Sequence, residues 1–156
     1  MATALPRYTL VAAHPPARDG RPVTSTHVPF YLALELASDA WAMTLGEHCA
    51  DLLSPMDMAV VNVTSNFRRE LFVGEIAVEV SLKRIGSSSV TFLLELFQAG
   101  YSVGTVDFVV VQVDVPRLHA VPLTPAQRVA LQTIPASRGR TESHDRLVQR
   151  PGPEVN

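Results

Sequence analysis

The spacing of hydrophobic residues along the chain changes from strand-like to helical and back to strand-like. Residues 7–14 form a short apolar run that stops at Pro15-Pro16, where the backbone cannot donate to a sheet, so we predict a first strand there. One long helix is predicted near Phe30–Leu53, because apolar residues recur along it at steps of three and four. Apolar side chains cover most of its circumference, which favours burial on most sides. We expect Gly46 to end or kink this helix, with a last helical piece after it.

Strand-like spacing returns after the helix and continues through the middle of the chain. Four strands are predicted, at Met58–Arg69, Glu75–Arg84, Ser89–Gln98 and Tyr101–Val115. The second of them alternates strictly between apolar and polar side chains, which indicates one buried and one solvated face. The connections between these strands are too short for helical crossovers, so the strands should be antiparallel. A short helix is predicted at Ala126–Ile134, because Thr124-Pro125 provides a cap and a first-turn proline.

Together these elements predict a single α+β domain over residues 1–135. It consists of a five-stranded antiparallel sheet wrapped around one long central helix, with a short C-terminal helix. A chain of 156 residues is long enough to bury a substantial core. Residues 136–156 are rich in Arg, Ser, Pro and Gly and offer little to bury, so we predict a disordered C-terminal tail. The alternative is a tail that folds over a ligand or a partner.

Composition limits the classes of function. Apolar residues make up 47% of the chain and charged residues only 18%, which predicts a homodimer or homotetramer that covers part of the surface. The net charge of −2 provides no basic surface for nucleic acid. No window approaches the ~20 apolar residues of a membrane span, and the N-terminus lacks a signal-peptide pattern, so we expect a cytoplasmic protein. The single cysteine excludes an internal disulfide, and no metal site is predicted.

Two segments of the predicted sheet resemble a known family. Phe67–Glu75 reads FRRELFVGE and Lys83–Phe92 reads KRIGSSSVTF, and both follow the long apolar helix. In this order they resemble the hotdog-fold thioesterases of the acyl-CoA and 4-hydroxybenzoyl-CoA type, over roughly Tyr8–Leu131. The resemblance implies the hotdog fold and hydrolysis of an acyl thioester, most often acyl-CoA, at a subunit interface. Coenzyme A would then be part of the substrate, and no separate cofactor is expected.

Two other functions of the same fold stay open. The first is a non-catalytic module that binds acyl-CoA or an acyl-carrier protein. The second is a hydratase or dehydratase, which ranks last because its spaced Asp and His are missing from the approach to the helix. Release of free thiol from acyl-CoA separates hydrolysis from binding.

Thioester hydrolysis needs a carboxylate, as nucleophile or to orient water, and N–H groups that polarise the carbonyl. The resemblance implies two places for the acid. In one branch of the family it lies in the loop before the helix, and Asp19 comes two residues before that position. In the other branch it lies on the helix about nine residues after a histidine, and Glu35 and Asp39 follow His27 at eight and twelve residues. We favour Glu35. His27, near the helix start, could donate to the carbonyl. The alternative is that Glu35 and Asp39 face solvent or pair with arginines, and that His27 only caps the helix or packs against it.

Coenzyme A also carries phosphates that need cationic or hydroxyl partners. Arg84 with Ser87, Ser88 and Ser89, between two predicted strands, is the first candidate group. Arg69 is the second candidate. The alternative interpretations are an ordinary hairpin turn for the serines and the polar end of an edge strand for the arginine.

Overall fold

A computed structural model describes residues 3–14, 19 and 26–138 of the chain. The helices are α1 (Phe30–Cys49) and α2 (Pro125–Leu131), with short 3₁₀ turns at Ala50–Leu52 and Pro55–Asp57. The strands are β1 (Arg7–Ala12), β2 (His27–Val28), β3 (Met58–Phe67), β4 (Leu71–Phe72), β5 (Gly74–Ile85), β6 (Ser89–Gln98) and β7 (Tyr101–Gln112). Most of the loop before β2 and the predicted tail beyond Arg138 lie outside the described residues.

The five long strands form one antiparallel sheet in the order β1-β5-β6-β7-β3. This confirms the predicted five-stranded antiparallel sheet with one long helix and a short C-terminal helix. β1 and β3 are the two edges of the sheet. The two-residue strands β2 and β4 pair separately, with His27 opposite Phe72 and Val28 opposite Leu71. Neither of these short strands was predicted, because two residues are too few to show a period.

The helix α1 packs one face against the sheet. Small residues on that face, Ala33, Ala37 and Ala40, are fully buried and allow close approach of the helix. Trp41 stacks on Phe92 with ring centroids 5.9 Å apart. The opposite side of α1 carries exposed Phe30, Tyr31 and Met43, so a single chain does not bury the helix on most sides as predicted.

We predicted that Gly46 ends or kinks the helix, with a last helical piece after it; α1 does not end at Gly46, and the 3₁₀ turn Ala50–Leu52 follows it. The helix continues to Cys49, and Leu45 and Cys49 extend the buried face beyond the glycine. Gly46 is not among the residues with positive φ, so it does not form a left-handed helix end. The turn out of α1 is made by Ala50, with φ of 42°.

The last described residues are attached to the sheet edge. The backbone N–H of Leu82 donates to the carbonyl of Pro135 at 2.9 Å, and the N–H of Ser137 donates to the carbonyl of Leu82 at 2.8 Å. The N–H of Val80, two residues before Leu82, donates to the carbonyl of Pro6, just before β1. The edge of β5 is therefore covered first by β1 and then by residues 135–137.

Candidate functional site

A pocket of about 540 Å³ opens at the N-terminus of α1. It lies between the start of the helix and the connection from β3 to β4. Its apolar walls are formed by Val28, Pro29, Phe30, Ala33, Phe67 and Leu71, and its polar groups come from His27, Arg68, Arg69 and Glu70. Apolar walls with a few polar groups are typical of a site for a small molecule.

The pairing of β2 with β4 builds this pocket. It holds the residues before α1 against the residues that follow β3, which are far apart in the sequence. The backbone N–H of Val73 donates to the carbonyl of Thr26 at 2.8 Å and fixes the same junction. The His27 ring lies edge-on to Phe72, with centroids 6.5 Å apart. Val28 and Leu71 are buried beneath, so the wall has an apolar base.

The start of α1 provides the groups that could polarise a carbonyl. Pro29 is the cap residue, no side chain caps the helix, and the first turn contains no acidic residue. The first N–H groups of a helix lack the partner four residues earlier, and the helix dipole makes this end positive. At the start of α1 the N–H of Leu32 donates to the carbonyl of Pro29 at 3.0 Å. Because Phe30 and Ala33 line the pocket, this end of α1 faces it. A carbonyl oxygen that gains negative charge would be stabilised there.

The charged side chains of the pocket divide into two groups. His27 Nδ1 lies 3.6 Å from Glu70 Oε2, within ion-pair range but too far for a hydrogen bond. Arg68 instead donates to the Ser102 hydroxyl at 3.1 Å. The Arg69 guanidinium stacks over the Tyr101 ring, 4.3 Å from its centroid. The two arginines are therefore held by β7, whereas Glu70, on the connection from β3 to β4, lies beside His27 at the approach to α1.

Of the four predicted catalytic residues, His27 lines this pocket. Glu35 and Asp39 are exposed on α1, on the side away from the buried alanines, and neither lines the pocket. Asp19 is also exposed, and the chain between it and Thr26 lies outside the described residues. These acids remain predictions.

The predicted phosphate-binding groups are separated in the same way. Arg69 lines the pocket. Arg84 lies at the other end of β5, next to Ser87–Ser89, which are here named the serine turn. The twelve residues of β5 span roughly 40 Å at about 3.3 Å per residue. All three carbonyls of the turn accept from the backbone, that of Ser87 from Leu123, that of Ser88 from Gln112 and that of Ser89 from Gly86. Within one chain the serine turn therefore does not meet the pocket.

Glu70 was missed at the sequence level. It stands directly after an apolar strand within FRRELF, where an acid reads as an ordinary loop residue. Only the contact between β2 and β4 brings it to His27. In the described part of the chain, no group of three or more His, Cys, Asp and Glu side chains is placed to hold a metal ion. No helix in that part is long and apolar enough to cross a membrane.

A long helix packed by one face against a five-stranded antiparallel sheet is the arrangement of the hotdog class of fold. The family model of the Thioesterase superfamily matches residues 30–104, from the start of α1 into β7. This match, over nearly half of the chain, confirms the resemblance to the thioesterase superfamily seen in the sequence and supports a thioester hydrolase.

Solved structures show the same fold. A predicted thioesterase from Bacillus stearothermophilus has a TM-score of 0.67 at 18% identity, covering 85% of this chain and 99% of that one. A thioesterase from Thermus thermophilus, complexed with coenzyme A and Zn, has a TM-score of 0.67 at 19% identity, covering 83% and 94%. A hypothetical protein from Staphylococcus aureus in complex with CoA has a TM-score of 0.70 at 12% identity, covering 97% and 98%. A search of the curated proteins gave no match.

Proposed function

We propose that this protein hydrolyses acyl-CoA thioesters in the pocket at the start of α1. The observation that carries the proposal is the combination, in one pocket, of apolar walls, the open positive end of a helix, and His27 with Glu70. The superfamily match supports the reaction class. The structures from Thermus thermophilus and Staphylococcus aureus contain coenzyme A, which supports coenzyme A as the thiol.

The reaction follows from what each wall of the pocket offers. The acyl chain packs against the apolar side chains, and the thioester oxygen points to the N–H groups at the start of α1. Water attacks the carbonyl carbon while a carboxylate takes its proton. The C–S bond then breaks, and the thiolate leaves as the free thiol after protonation. The products are a carboxylic acid and coenzyme A.

The acids implied by the family resemblance need a second subunit to take part. Glu35 and Asp39 lie on the exposed side of α1, so they can act only if a partner closes over that side. Replacement of either acid, or of Asp19, by its amide would lower turnover by about 10²–10⁴-fold if that residue were the catalytic base. Thiol release measured for the three variants separates these assignments.

We propose a homodimer in which β3 pairs with the β3 strand of a second copy. β3 is an edge strand, and after Met58 none of its side chains is buried. Its exposed apolar side chains are Val60, Val61, Val63 and Phe67. Such an edge offers unpaired backbone groups to another strand, and two copies related by a two-fold axis would pair antiparallel.

This pairing would also complete the site. In the register of the sheet, Ser89 lies opposite Val111, and Val111 lies opposite Ala59 at the start of β3. The serine turn is therefore near the start of β3, whereas the pocket is at its end. Antiparallel pairing places the start of one β3 beside the end of the other. The serine turn of the second copy would then approach the pocket and could hold the phosphates of coenzyme A.

A panel of acyl-CoA substrates tests the proposed function. Free thiol should be released in proportion to protein and time. Binding of acyl-CoA without thiol release would replace this function with the alternative, a non-catalytic acyl-CoA or acyl-carrier binding module.

Light scattering tests the proposed interface. The wild type should exceed the 17.0 kDa of one chain at micromolar concentration, and Val61→Lys on the β3 edge should reduce it to the monomer and lower turnover. Val129→Lys is the matched control, because this valine is equally exposed but lies on α2. A monomeric wild type with full turnover would contradict the shared site.

A further inference from the structure

Glu70 is an acidic residue to which the family resemblance assigns no role. It is the only acidic side chain among the described residues that lines the pocket at the start of α1. The three acids implied by the resemblance do not appear in the pocket wall. If a carboxylate of the same chain acts there, the geometry favours Glu70.

The backbone on both sides of Glu70 is held in place. The N–H groups of Arg68 and Arg69 both donate to the carbonyl of Val103, at 2.8 and 3.2 Å. On the other side, Leu71 is buried and pairs with Val28 across β2 and β4. Glu70 therefore extends from a short connection whose two ends are fixed, although its own side chain is 69% exposed. A fixed backbone limits where its carboxylate can move.

The two arginines that line the pocket are engaged by other residues, so His27 is the ionisable neighbour of the Glu70 carboxylate. Arg68 is engaged with Ser102 and lies 3.9 Å from Glu95, and Arg69 stacks on Tyr101. The His27 imidazole stands 3.6 Å from the Glu70 carboxylate. A histidine beside a carboxylate restricts its orientation and can form an ion pair with it when protonated.

We propose that Glu70 is a catalytic carboxylate of the thioester reaction, held in position by His27. The proposal rests on the proposed function. One Glu70 oxygen accepts a proton from water as the water oxygen forms a bond to the carbonyl carbon. The C–S bond breaks, and Glu70 returns the proton to the leaving thiolate. Water is consumed, acid and thiol are formed, and Glu70 is regenerated as the carboxylate.

The opposite walls of the pocket suit this division of roles. The start of α1 stabilises the charge that develops on the carbonyl oxygen, and the connection between β3 and β4 brings in the base. A thioester bound between them would have its carbonyl carbon accessible to water from the Glu70 side.

Glu70→Gln tests the role of the carboxylate. The amide keeps the shape of the side chain but cannot accept the proton, so kcat should fall by about 10²–10⁴-fold. The dissociation constant for coenzyme A and the melting temperature should stay at wild-type values. Glu75→Gln is the matched control, because Glu75 is an exposed glutamate nearby that does not line this pocket. It should retain wild-type turnover.

A second variant distinguishes a chemical from a structural role. Glu70→Ala should be slow, and added formate should raise its turnover severalfold while leaving the wild type unchanged, because formate can replace the missing carboxylate. Full activity of Glu70→Gln, or loss of activity only through weaker binding, would overturn the proposal. If the wild type itself releases no thiol, the proposed function fails first and the role of Glu70 fails with it. An active wild type with an active Glu70→Gln refutes the role of Glu70 alone.

Discussion

The same substitution, glycine to alanine, should have opposite effects at two positions in this protein. At Gly104 in β7, a β-carbon would lie closer than 3.0 Å to the carbonyl oxygen of Asn66 and 3.0 Å from the Cα of Phe67. Real β-carbons do not approach backbone atoms this closely, so β3 would have to move away from β7. At Gly46 in α1, nothing lies within 4 Å of a β-carbon, and the residue does not have positive φ.

The magnitudes follow from these two environments. Forcing an extra methyl into a packed contact costs about 1–3 kcal/mol, and we expect about 2 kcal/mol at Gly104 because the obstacle is backbone that is paired on β3. Alanine is favoured over glycine in a helix by about 0.5–1 kcal/mol, so Gly46→Ala should be stabilising. For a chain of this length, 1 kcal/mol changes the melting temperature by roughly 2–4 °C. Gly104→Ala should therefore melt about 4–8 °C lower, and Gly46→Ala about 1–4 °C higher.

Urea unfolding followed by tryptophan fluorescence measures the free energy of unfolding of both variants, because the buried Trp41 is the only tryptophan and reports on the core. All proteins are compared at the same chain concentration, since association would shift the midpoint. A Gly104→Ala protein as stable as the wild type would refute the close packing of β7 on β3. A destabilised Gly46→Ala would refute the continuation of α1 past Gly46.

Burial raises the pKa of Tyr8, so its neutral phenol contributes to the free energy of unfolding. This contribution is fully present below about pH 10 and is lost as the pH rises through the folded pKa. Tyr8→Phe should reduce the alkaline fall of the urea midpoint, and an unchanged fall would contradict this. Burial raises the pKa of Cys49 to about 11, so a thiol reagent at pH 8 should react about 100-fold more slowly with folded than with unfolded protein. A chain ending at Arg138 should keep the wild-type melting temperature, whereas one ending at Ile134 should melt lower because it removes two backbone partners of Leu82. Equal melting of the two would contradict that edge contact.

The sheet could be predicted because its strands carry a clear period. In β5, Ile76, Val78 and Val80 are buried and alternate with the less buried Ala77 and Glu79, as predicted, up to Ser81, which is buried as well. The helix was predicted for a similar reason. Its continuation through Gly46 was not, because glycine is judged locally, whereas the buried side chains of Leu45 and Cys49 extend the packed face beyond Gly46.

The pocket could be predicted only in part. The histidine before the helix carries a recognisable signal, and His27 does line the pocket. Glu70 carries no such signal, because its position depends on the pairing of two very short strands that are distant in sequence. The serine turn was grouped with the pocket by resemblance, but the length of β5 keeps them apart in one chain. Joining them requires an intermolecular contact, which a single sequence does not specify.

A single-turnover experiment tests the central claim most directly, that this pocket hydrolyses acyl-CoA. Wild-type protein in excess is mixed with acyl-CoA, and acid and free coenzyme A are quantified together by mass spectrometry. Glu70→Gln purified in the same way is run beside it, so that a contaminating hydrolase would act equally in both samples. We expect the wild type to form acid and coenzyme A in equal amounts, and the variant to form them about 10²–10⁴-fold more slowly. Acyl-CoA that stays intact with the wild type would contradict this claim, whereas equal rates with both proteins would contradict the role of Glu70.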